Sequence, residues 1–76
     1  MSKPPIVWFS AFKHGLTRED ILHAFRKATR AWDFEDGFTM VIGASQSAII
    51  LEVRYVRRDA APVIVHAMRA REKFLR

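Results

Sequence analysis

Seventy-six residues without a single cysteine bound the problem before any pattern is read. A chain this short makes one small domain with a modest core, and without thiols it has neither a disulfide nor a thiolate metal site to reinforce it. Thirteen Lys and Arg against eight Asp and Glu give a net charge of +5 and a pI near 10.5, a balance that suits phosphate backbones or acidic protein partners, while 50% hydrophobic residues argue against disorder.

The N-terminus reads Lys3, Pro4-Pro5 and then only Ile6-Val7-Trp8-Phe9 before Lys13-His14. That apolar run is too short for a signal peptide, and no stretch is long enough to span a bilayer. With no cysteine besides, the cytoplasm is the expected compartment. Ile6 to Phe9 fits a short strand or an apolar arm on the core, and Ser10 to Gly15 a loop.

A helix follows. Thr17 is a natural N-cap, and Glu19 and Asp20 place negative charge at the positive end of the helix dipole. Ile21, Leu22, Phe25, Ala28 and Trp32 recur at helical spacing, which predicts a helix ending near Ala31 or Trp32. Phe38 to Ile42 reads as a strand and Gly43 to Ser47 as a hairpin loop. Ala48 to Val56 is the clearest strand, with Ile49, Leu51, Val53 and Tyr55 on one face and Ile50, Glu52, Arg54 and Val56 on the other. Arg57 to Ala61 is the next turn. Pro62 opens a last strand, where its missing N–H matters least, and the tail from Met68 fits a short helix or an extended arm. The expectation is an α+β domain: one principal helix on a three-stranded antiparallel meander, with room for a short N-terminal strand and a C-terminal helix. Phe25, Trp32, Phe38 and Tyr55 are expected in the core.

Lys13-His14-Gly15 before a helix, Ile42-Gly43 at a turn between strands, and His66-Ala67-Met68-Arg69-Ala70-Arg71 at the close occur in an order that resembles the BrnT-type toxins. The resemblance spans roughly residues 12 to 75. It implies the fold shared with the RelE/ParE toxins, ribonuclease activity, and a cytoplasmic place in a bacterial type II toxin–antitoxin pair. It further implies a cognate antitoxin partner, RNA as substrate, and contact with DNA only through the antitoxin. Where the family's late strand commonly reads Ser-Ala-Arg, this chain has His66-Ala67-Met68. The family arginine therefore falls on Met68, and the nearest replacements are Arg69 and Arg71. The small core leaves room for a toxin homodimer.

RNA can be cleaved without a metal or a cofactor. A base deprotonates the ribose 2′-hydroxyl, which attacks the adjacent phosphate; an acid protonates the departing 5′-oxygen; a cation stabilises the phosphorane. Imidazole suits the proton transfers, since its ordinary pKa lies near neutrality. Guanidinium suits the phosphate, since its planar fork donates two parallel hydrogen bonds. His14 and His66 are the candidates for proton transfer, and Arg54 and Arg69 for close phosphate contact. Lys13, Arg57, Arg58, Arg71 and Lys73 are candidates for binding RNA. His14 equally fits a solvated turn, and His66 a structural group at a strand end. The three histidines lack zinc-site spacing, so no metal is expected. A second reading is a toxin-fold binding module that grips an acidic protein or RNA through its basic rim without cleaving anything.

Overall fold

The computed structural model describes residues 3–75. In chain order these form strand β1 (Ile6–Val7), a 3₁₀ turn (Phe9–Phe12), helix α1 (Arg18–Arg26), strands β2 (Arg30–Asp33), β3 (Thr39–Ala44), β4 (Ile50–Arg58) and β5 (Ala61–Arg69), and a second 3₁₀ turn (Glu72–Phe74). One sheet holds all five strands in the order β1-β5-β4-β3-β2. β2 to β5 form an antiparallel meander, and β1 adds in parallel to the edge of β5. The α+β class and the N-terminal strand are as expected. The sheet has five strands rather than three, and the tail forms a 3₁₀ turn rather than an α-helix.

α1 starts as its sequence requires: the Asp20 N–H donates to the Thr17 side-chain oxygen at 3.2 Å. It stops at Arg26, short of the expected Trp32, and residues 30–33 become strand β2. The helix lies hard against β3 at Gly43, where a Cβ would fall 2.0 Å from the Ala24 carbonyl oxygen. Beyond that contact the Thr29 N–H donates to the Ile42 carbonyl at 2.8 Å, which starts pairing along the open edge of β3. Strand pairing at a free edge outweighs an intrinsic preference for helix, which is worth only tenths of a kcal/mol per residue. Trp32 is accordingly 37% exposed and packs on Phe74, outside the helix-side core.

That core joins Ile21 and Ala24 of the helix to Val41, Leu51, Val53, Ile64 and Ala67 of the sheet, with Ala11 sealing one end and Phe25 and Tyr55 packed at its margin. The β4–β5 ladder is broken once. Arg54 pairs with His66 and Tyr55 with Ile64, so Val65 is an extra residue, a β-bulge. The bulge lets Ile64 and Ala67, three apart, both face the helix. His66 and Met68 consequently face the other way.

Candidate active site

Two cross-strand rows cover the face turned away from α1. One runs Trp32, Met40, Arg54, His66; the next runs Arg30, Ile42, Glu52, Met68. The tail folds back over both rows: the Arg71 N–H donates to Glu52 of the second, and Phe74 lies against Trp32 of the first. Between tail and sheet opens a hollow of about 340 Å³ lined by Phe38, Arg54, Val65, His66, Met68 and Arg71. Phe38, expected in the core, is instead one of its walls.

The N-terminal arm brings His14 to this hollow. The Trp8 N–H donates to the Ile64 carbonyl at 2.9 Å, the Ser10 hydroxyl donates to the Val65 carbonyl at 2.6 Å, and Ala11 is fully buried. The 3₁₀ turn is thereby fastened to β5 at the bulge. Gly15, at φ 79°, takes the left-handed conformation that lets the chain leave toward α1. His14, in the loop between them, meets His66 edge to face with ring centroids 5.3 Å apart. His14 is exposed and touches the hollow through His66 rather than lining it.

The two guanidinium groups are held differently. Arg54 lies over the Phe34 ring at 4.7 Å, a cation–π contact that restrains it while leaving its donors available. Arg71 lies over Phe74 at 5.0 Å and pairs with Glu52, donating from Nε to Oε2 at 3.3 Å and from Nη2 to Oε1 at 3.0 Å. Glu52 is 0% exposed. A buried carboxylate survives only when its oxygens are fully engaged, and the Arg71 main chain and side chain supply three donors.

His66 is the group whose titration the site changes. Burial lowers its pKa below the ordinary 6.5, and His14, Arg54 and Arg71 push the same way, while Glu52 pulls it up. The neutral imidazole, able to accept a proton, is therefore favoured near neutrality.

His14, His66, Arg54 and Arg71 are thus gathered at one place. Arg69 is not among them: it pairs with Leu51, whose side chain is in the helix-side core, so Arg69 is exposed on the opposite face. Arg57 and Arg58 are exposed at the far end of the β4–β5 hairpin, where Arg58 borders a separate depression with Lys3 and Trp8. Lys13 is exposed beside His14, and Lys73 extends over Phe74 at 5.1 Å. Glu52 was not foreseen, because strand alternation alone reads it as an outward, solvated residue. Among the described residues no cluster of three His, Asp or Glu could hold a metal ion, and no helix is long and apolar enough to cross a membrane.

No family model matches the chain, and no curated protein matches it in sequence. Among solved structures it is similar to the crystal structure of the Brucella abortus ribonuclease toxin BrnT, at 22% identity and a TM-score of 0.69, over 92% of this chain and 100% of that one. The resemblance drawn from Lys13-His14-Gly15 and the motifs after it therefore holds at the level of architecture: this chain has the BrnT toxin fold.

Proposed function

We propose that this protein is a small endoribonuclease toxin of a bacterial toxin–antitoxin pair, and that the hollow between tail and sheet is its active site. The observation that carries the reading is the His14–His66 ring pair at 5.3 Å beside a hollow lined by both Arg54 and Arg71. The likeness to a ribonuclease toxin of the same fold supports it. Neutral His66 takes the proton of the ribose 2′-hydroxyl, whose oxygen then bonds to phosphorus. The bond from phosphorus to the 5′-oxygen breaks, and His14 in its charged form donates a proton to that leaving oxygen. Products are a 2′,3′-cyclic phosphate and a 5′-hydroxyl. Arg54 and Arg71 stabilise the phosphorane, since charge that develops in the transition state is what fixed cations serve best. Lys13, Arg57, Arg58 and Lys73 steer the polyanion from further out, and Arg69, on the opposite face, takes no part.

The same reading places the protein in the cytoplasm among RelE/ParE-like toxins, restrained by an antitoxin that contacts DNA on behalf of the pair. A toxin homodimer is compatible with so small a core. The decisive experiment incubates purified protein with single-stranded RNA in EDTA and looks for cyclic-phosphate ends. His66→Ala and His14→Ala are each expected to slow cleavage on the order of 100-fold or more, the usual contribution of a proton-transfer group. Cleavage unchanged in both variants removes the assignment. Salt-sensitive RNA binding with no product in any form of the protein would favour the binding-module alternative.

A further inference from the structure

The buried carboxylate of Glu52 lies beneath the hollow, and the proposed chemistry gives it no step. It cannot touch RNA, being 0% exposed and covered by the tail. We infer that Glu52 is a positioning residue: it grips one edge of the Arg71 guanidinium so that the other edge is presented to the hollow, where it forks a backbone phosphate of single-stranded RNA. This rests on the ribonuclease reading for the identity of the ligand, but not for the geometry.

The donor count carries the inference. A guanidinium has five N–H groups, one on Nε and two on each Nη. Glu52 takes the Nε hydrogen and one from Nη2. The remaining three, both on Nη1 and one on Nη2, meet no acceptor among the described residues, and one from each Nη makes the forked edge that matches two phosphate oxygens. Arg71 is one of the walls of the hollow, and its side chain is 45% exposed, so this edge is open to a ligand. Glu52 Oε2 also accepts the Arg71 backbone N–H at 3.1 Å, and the Phe74 ring flanks the guanidinium at 5.0 Å. The residue is therefore fixed at main chain, side-chain edge and ring face, which reduces the entropy that phosphate binding would otherwise cost a long side chain. The anion is buried, and the cation faces the hollow.

The test uses a fluorescent 2′-O-methyl RNA oligonucleotide, which lacks the nucleophile and cannot be cut, with binding read by anisotropy. Arg71→Lys keeps a charge for Glu52 but cannot offer two donor edges. Its Kd is expected to rise about tenfold, the loss of one bidentate charged contact. Glu52→Gln is expected to give a similar rise while circular dichroism shows a folded protein. Adding Glu52→Gln to Arg71→Ala is expected to cost nothing further, because Glu52 acts only through Arg71. Unchanged affinity in Arg71→Lys overturns the inference, and so does a double variant in which the two losses multiply. Should Glu52→Gln fail to fold, Glu52→Asp, which keeps the charge but shortens its reach to Arg71, takes its place, and unchanged affinity in it overturns the inference. Wild type that binds but never cleaves, with these binding effects intact, sinks the ribonuclease reading and leaves the clamp standing. Normal cleavage with no Arg71→Lys effect on affinity does the reverse.

Discussion

His66 is held below the ordinary imidazole pKa of 6.5, first by burial and then by the charges of His14, Arg54 and Arg71 acting against Glu52. The folded state thus disfavours the protonated ring relative to the unfolded chain. By linkage, the stabilisation from neutral His66 is complete above pH 6.5 and is lost as pH falls from there through the lowered folded value. Urea denaturation across that window is expected to show wild type losing more stability than His66→Asn; parallel curves for the two would refute the coupling. Chemical type made His14, His66, Arg54 and Arg71 legible in the sequence. The choice between Arg69 and Arg71 was not, because it turns on where β5 ends: Arg69 is its last residue and keeps the register of Leu51, whereas Arg71 lies beyond it in the tail that folds back onto Glu52. Glu52 was hidden for a different reason: its partner comes from 19 residues further along the chain, and no local spacing announces it.

α1 and β2 show where element-level reading works and where it fails. The start of the helix was readable because Thr17 and Asp20 make a local hydrogen bond that any sequence carries with it. Its end was not, because Ala28 and Trp32 satisfy helical spacing while the actual competitor, the free edge of β3, is remote in sequence. Gly43 is the residue through which that competition acts, since it permits the helix to touch the sheet backbone. Gly43→Ala would set a methyl 2.0 Å from the Ala24 carbonyl oxygen, a main-chain atom that cannot swing aside. The expected cost is about 3 kcal/mol or more, which for a domain of this size lowers the thermal midpoint by roughly 10 °C or more. A midpoint within a few degrees of wild type would mean that α1 does not sit so close.

Taken whole, the molecule divides its labour between two faces. The helix side carries the apolar core; the other side carries Arg54, His66 and Arg71 with the aromatic rings of Phe34, Phe38 and Phe74 against or beside them. On the proposed reading, the net charge of +5 attracts polyanions generally, and close contact is expected on one side. For single-stranded RNA, each phosphate neutralised adds about 0.7 to the slope of log affinity against log salt. Arg54→Ala and Arg71→Ala are each expected to reduce that slope by about 0.7, whereas Arg69→Ala, on the far face, leaves it unchanged. Equal effects from all three would mean diffuse attraction without a seated backbone.

The fastening of the 3₁₀ turn to the bulge of β5 has a consequence for the newborn chain. His14 leaves the ribosome early, yet nothing holds it in place until Ile64 and Val65 arrive to receive Trp8 and Ser10, and Arg71 comes later still. A half-made polypeptide, however well its helix has settled, owns an imidazole with no counterpart. On the proposed reading, His14, His66, Arg54 and Arg71 cannot be assembled before residue 71 has been added, so a chain that stops short of it is expected to leave RNA uncut.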